Sequence, residues 1–145
     1  MNDHYQQLER MFQAAPLNQG IFAGSVLTVS ERKAVYELTI SEKYFHAAHA
    51  MHGAIYFKQL DDAAYFAAAS LETEFFILTK TYQIKFIRPV GEDQLRAEGE
   101  VLSQNEKEII ARSVIRNSQG KVVGEGHGVF VKGPKRLIDL PGYNS

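Results

Sequence analysis

Three histidines, a glycine and two adjacent carboxylates are the residues of this chain whose types and spacing could do chemistry. They lie in His46-Ala47-Ala48-His49-Ala50-Met51-His52-Gly53-Ala54 and in the Asp61-Asp62 pair that follows. A His-Gly pair at the mouth of a helix exposes the unpaired backbone N–H groups of the first turn, and a glycine lets a ligand atom approach them closely. Such donors suit a polarised carbonyl or a developing oxyanion. The same residues also serve as plain turn geometry with His52 as a cap, and spacing alone leaves both readings open. Asp61 and Asp62 fall two turns into the helix, where neighbours point about 100° apart, so at most one of them faces a shared site. A carboxylate in an Ala-rich, largely apolar helix is costly without partners or a function. On spacing, a structural and a catalytic role are evenly matched.

Distance adds a constraint. Gly53 and Asp61 are eight residues apart, which is about 12 Å along a helix at about 1.5 Å per residue. A reacting carbonyl must sit about 3 Å from its hydrogen-bond donors and within reach of the base. One chain does not readily supply both groups, so a site built from them is expected between two subunits related by a two-fold axis.

Other candidates rank lower. His46, His49 and His52 have i, i+3 spacing, but three such positions do not converge on one face, and no metal site is expected. His127, between Gly126 and Gly128, reads as an ordinary strand residue, and its glycines read as marks of bulges or close packing. Lys80, Lys85, Arg88, Lys132, Lys135 and Arg136 are available to the phosphates of a nucleotide-bearing substrate, although such charges are more often plain solvated surface. No Ser-centred elbow, phosphate-binding glycine loop, dinucleotide fingerprint or His-Glu zinc motif is present.

The elements that must position these residues follow from the pattern. Tyr5, Leu8, Met11 and Phe12 recur at helical spacing until Pro16, which predicts a short leading helix over 4–14. Strand patterns over 21–30 and 33–40 predict a hairpin turning at Glu31-Arg32. Gly53 to Ala69 is alanine-rich and unbroken, and predicts a long helix wrapped by other structure. Four strands follow, over 76–87, 94–103, 108–116 and 121–132, read as joined by short hairpin connections, with the tail from Gly133 as an extended appendage. The plan is α+β, one antiparallel sheet curled around one helix.

Length and composition bound the answer further. At 145 residues the chain is expected to form one domain, 1–145, and its 45% hydrophobic and 23% charged residues are those of a globular protein. A formal net charge of −1 lacks the basic excess of nucleic-acid binders, and no cysteine is present to act as nucleophile or thiolate ligand. Met1 to Gln7 has neither the cationic nor the apolar part of a targeting segment, and no apolar run reaches about 20 residues, so a cytoplasmic protein outside any membrane is expected.

The chain resembles the hotdog-fold acyl-CoA thioesterases, specifically the phenylacetate-pathway (PaaI-like) branch. That family places a polar residue a few positions before His-Gly-Gly, and an Asp nine positions after the His. Here His52-Gly53-Ala54 holds the His-Gly-Gly place, Asp61 falls nine after His52, and Gln83-Ile84-Lys85-Phe86-Ile87-Arg88-Pro89 is similar to the family's strand ending in Arg-Pro. The resemblance implies a hotdog fold and thioester hydrolysis without a cofactor, in a homodimer or a dimer of dimers. It implies that Asp61 acts as general base or nucleophile, that the Gly53 N–H polarises the thioester carbonyl, and that His52 supports that arrangement. His46, Ala54 and Thr79 are implied to contact substrate. The chain departs from the pattern in Ala54, where a second glycine is usual, and in His46, where Asn is. A non-catalytic acyl-CoA-binding protein and a hotdog hydratase or dehydratase are the alternatives, because one scaffold hosts several chemistries.

Overall fold

The structure is a computed structural model that describes residues 3–144. Helix α1 (Asp3–Ala14) buries Leu8, Met11 and Phe12 of the stripe expected at helical spacing, with Tyr5 only half-buried against the core and His4 buried in addition. Pro16 ends that pattern and starts a further turn, α2 (Pro16–Gln19), with Pro at its first position, where a missing N–H costs nothing. The first strand, β1 (Val26–Ser30), begins five residues later than the composition implied. Residues 21–24 form turns, with Phe22 buried and Gly24 at φ +93.

Strand β1 pairs with β2 (Lys33–Ile40) across the expected turn, with Ser30 opposite Lys33. Arg32 takes a left-handed φ of 63 there. Two hydrogen bonds hold it: its N–H donates to Ser70 Oγ at 2.8 Å, and its carbonyl accepts from the Val101 N–H at 3.0 Å. Helix α3 (Gly53–Ala69) has the predicted bounds. The remaining strands are β3 (Phe75–Phe86), β4 (Asp93–Gln104), β5 (Ile109–Arg116) and β6 (Val122–Arg136).

The sheet order is β1-β2-β4-β5-β6-β3, antiparallel throughout. This corrects one expectation: β3 and β4 are not a hairpin. Strand β3 pairs with β6 at one edge while β4 pairs with β2, so residues 87–92 cross the end of the sheet, where the Val90 carbonyl accepts from the Met51 N–H at 2.8 Å. Pattern identifies strands but not partners, and partner choice here follows from wrapping the sheet around α3.

The helix sits unusually close to the sheet because both surfaces are small. Ala63, Ala64, Ala67 and Ala68 are fully buried, as are Ala97 and Ala111 beneath them. At Gly99 a Cβ would lie 2.0 Å from the Ala63 carbonyl oxygen. The glycines of β6 work in the same way. A Cβ at Gly126 or Gly128 would lie 2.6 or 2.4 Å from the Tyr82 ring, which is the close packing that the Gly-x-Gly pattern signalled.

The tail is also corrected. Strand β6 continues past Gly133 to pair Arg136 with Phe75, and Leu137 and Tyr143 are buried. Tyr143 OH donates to His4 Nδ1 at 2.6 Å, while His4 Nε2 donates to the Ala69 carbonyl at 2.8 Å, tying both ends of the chain to the end of α3. Among the described residues no helix is long and apolar enough to cross a membrane. Met1 and Asn2, where the targeting reading began, lie outside them.

Candidate active site

At the start of α3 the loop from His46 to Met51 folds back on itself through a Phe45–Met51 bridge, with His49 at its tip in a left-handed conformation, φ 63. His46 Nδ1 accepts from the Ala48 N–H at 3.1 Å, and its ring lies 6.5 Å from that of His52. His52 is the N-cap: its Nδ1 accepts from the Ala54 N–H at 2.9 Å, and its carbonyl takes the Ile55 N–H at 2.9 Å. Among the described residues nothing accepts from the Gly53 N–H. Gly53 lies under Phe86, whose ring would be 3.4 Å from an added Cβ, so a larger residue would crowd that donor.

Asp61 lies on a different stretch of the helix, against β3. Thr79 Oγ1 donates to Asp61 Oδ1 at 2.9 Å. A β-bulge makes this possible. Thr79 pairs with Phe130 and Thr81 with Val129, so Lys80 is an extra residue that switches the alternation of side chains. Thr79 before the bulge and Tyr82 after it can therefore both face α3. Ser113 Oγ donates to the Leu60 carbonyl at 2.7 Å, and Tyr82 OH, 3.1 Å from the same carbonyl, is hydrogen-bonded to Ser113 Oγ, so the two hydroxyl protons are shared among three close contacts. These bonds fix the rotation of α3 one residue before Asp61.

Asp61 lines a cavity of about 360 Å³ between α1–α2 and α3–β3, whose apolar wall includes Met11, Phe12, Leu17, Phe66, Phe76 and Leu78. Burial there pushes the Asp61 carboxyl up from 3.8 to about 6; the Thr79 hydrogen bond opposes this, Asp62 adds to it and Lys58 works against it. A carboxyl in that range exchanges protons near neutral pH. Its Oδ2 has no hydrogen bond among the described residues and remains available to a reactant.

Asp62 takes a different partner from Asp61, yet both carboxylates line the same cavity, which corrects the expectation that at most one of them would face a shared site. Lys58, one turn earlier, forms an ion pair with Asp62 and donates to Asn18 Oδ1 at 2.7 Å. The ammonium also lies 4.9 to 5.2 Å from the ring centres of Phe12, Phe22 and Tyr36, a cation–π enclosure. Burial raises the Asp62 carboxyl, with Lys58 pulling the other way.

The thioesterase-superfamily profile matches residues 48–123, more than half of the chain and the part that holds both ends of α3. The chain belongs to the thioesterase superfamily. Solved structures agree on the hotdog fold. The Escherichia coli PaaI protein from the phenylacetic acid degradation operon is 21% identical, with a TM-score of 0.80 over 92% of this chain and 96% of that one. Zebrafish thioesterase superfamily member 2 is 17% identical, with a TM-score of 0.76 over 88% and 94%. A Streptococcus mutans protein bound to acetyl-CoA is 15% identical, with a TM-score of 0.71 over 80% and 94%. No curated protein sequence matches the chain significantly.

In this thioesterase-superfamily protein the residues read from sequence fall into two groups. His46, His52, Gly53 and Ala54 meet at the start of α3, and Asp61 meets Thr79 two turns on. A single chain does not bring the groups together. Three of the cations are occupied: Lys80 by Glu108 at 3.2 Å, Lys132 by Glu72 at 3.5 Å and Arg136 by Glu74 at 3.5 Å. Lys85, Arg88 and Lys135 have no ion pair among the described residues. His127 is an exposed residue of β6, as read. Sequence reasoning missed Ser113, Tyr82, Lys58 and Asn18. The i, i+4 spacing of Lys58 and Asp62 signalled one of these contacts, but nothing local signalled the others.

Proposed function

We propose that this protein hydrolyses an acyl-CoA-type thioester to a free acid and a thiol, at a site shared by two subunits. The observation that carries the reading is Asp61: one oxygen held by Thr79, the other free, in an apolar cavity that brings its proton affinity close to neutral. Asp61 accepts a proton from water as the oxygen attacks the thioester carbon. The carbonyl oxygen, now negative, is stabilised by the Gly53 N–H of the partner subunit. The C–S bond then breaks, and the departing sulfur takes the proton from Asp61. Direct attack by Asp61, through a mixed anhydride that water later opens, is the covalent form of the same reaction.

The geometry supports the sharing of the site. Strand β3 runs antiparallel to α3, with Ile77 bonded to Tyr65 near one end and Phe86 packed on Tyr56 near the other. Its outer edge carries no strand, and Leu78, Phe86 and Ile87 are exposed along it beside Phe57. Bare edges of this kind are templates for pairing. A two-fold axis close to the middle of β3, near Tyr82 and Gln83, would run the Thr79 half of one protomer's strand beside the Phe86 half of the other's, and so bring Asp61 toward the partner's helix start. Lys85 and Arg88 then flank the same junction, suited to the phosphates of CoA. The Streptococcus mutans relative solved with acetyl-CoA accords with such a ligand.

The test is release of free CoA from a panel of acyl-CoAs by wild type and Asp61→Asn. The expected result is turnover by wild type and a loss of at least about 100-fold in the variant. Equal rates would remove Asp61 from the mechanism, and tight binding without turnover by wild type would make the protein an acyl-CoA-binding module.

A further inference from the structure

The cavity wall contains an acidic group that hydrolysis itself does not use. Asp62 follows Asp61 directly on α3, and both line the one cavity. Only Oδ2 of Asp62 is committed, to Lys58. Its Oδ1 has no hydrogen bond among the described residues, and it is not a sealed atom, since the side chain keeps 18% of its surface open. Lys58 is far more fully occupied, between Asn18, Asp62 and three aromatic rings. An ion pair in an apolar wall is expensive compared with hydrophobic residues of the same size. If α2 and α3 had only to be clasped together, the wall could have been apolar throughout.

We propose that Asp62, oriented by Lys58, is a specificity-determining residue that selects acyl groups bearing a hydroxyl a few bonds from the thioester carbonyl. This rests on the thioester reading of the same cavity. With the carbonyl seated at Asp61, the adjacent residue of the helix reaches the first few atoms of the acyl group. A hydroxyl there donates to Asp62 Oδ1, while Met11, Phe66, Phe76 and Leu78 cover the rest. The charge of the wall narrows the choice. Two carboxylates against one ammonium leave the wall net negative, which disfavours an acyl group that ends in a carboxylate.

The experiment compares hexanoyl-CoA with hydroxyhexanoyl-CoAs in which the hydroxyl is moved along the chain. Wild type is expected to favour the best-placed hydroxyl by at least about tenfold in kcat/KM, the discrimination of a hydrogen bond to a charged group. The paired substitution Lys58→Met with Asp62→Leu removes both charges together and should bring that ratio to about one. Asp62→Asn, which keeps the size of the side chain but removes its charge, should also lower the ratio and provides the reading where the apolar pair disturbs folding. Equal wild-type rates at every hydroxyl position, or a preference that survives either variant, overturns the inference. Calorimetry with analogues whose thioester sulfur is replaced by a methylene separates this from the hydrolysis reading. Turnover without hydroxyl preference sinks the selection alone, whereas hydroxyl-dependent binding without turnover sinks hydrolysis alone.

Discussion

Moving the Asp61 carboxyl from water into a cavity walled by Phe76 and Leu78 penalises its charged form, and this one effect makes two measurable predictions. In the proposed mechanism the active form of Asp61 is the ionised one, so kcat/KM should rise with pH through a midpoint near the value of about 6. Thr79→Val removes the hydrogen bond that favours ionisation and should move the midpoint of that profile upward. Stability responds with the opposite slope. Between 3.8 and about 6 the folded state holds a proton that the unfolded chain has released, so this group's contribution falls as pH rises through that window and stays lost above it. The full loss is roughly 3 kcal/mol. Asp61→Asn escapes it, so the variant should melt at least as high as wild type at pH 7 while losing activity. A variant markedly less stable at pH 7 would assign Asp61 a structural role. His52, Gly53 and Asp61 could be named as candidates at this scale because the nine-residue spacing that carries the resemblance lies along one stretch of chain. Lys58 with Asn18 could not be, because Asn18 is distant in sequence and becomes a neighbour only when α2 folds over α3.

Elements place these residues through close approaches rather than through propensity. Gly99 lets α3 settle against the sheet, and a Cβ there has no room beside the Ala63 backbone. Gly99→Ala should therefore lower the melting midpoint through an overpacking penalty of about 1–3 kcal/mol, although alanine is unremarkable in a strand. Ser113→Ala should cost about 1 kcal/mol by removing the Ser113 hydroxyl from the Leu60 carbonyl and from Tyr82 OH. Thermal or urea unfolding of each variant reads both effects. Helix α3 and most strand positions were readable because their periods of 3.6 and 2 record which face is buried. The bulge at Lys80 was not readable, since an extra residue in one strand has meaning only against the strand beside it.

The whole molecule is expected to act as an oligomer. Thr81 and Gln83 are exposed on β3 beside the proposed axis, so Thr81→Lys with Gln83→Lys would set like charges against each other across it. The double variant should sediment as a monomer and lose thioester turnover while keeping its fold by circular dichroism. A fully active monomer would place both halves of the site in one chain, against the 12 Å separation along α3.

By itself, the sequence determined the α+β plan, the long helix and the two groups of candidate residues for the proposed chemistry. Each of these is written in local periodicity or in spacing along one element. Only the tertiary structure decided that β3 lies beside β6 rather than β4, that the tail packs on α1, and that Thr79 reaches Asp61. It also decided that an ammonium and a second carboxylate share the wall of the same cavity. Those facts depend on contacts between residues far apart in the chain, whose partners are chosen by how closely the sheet can wrap α3.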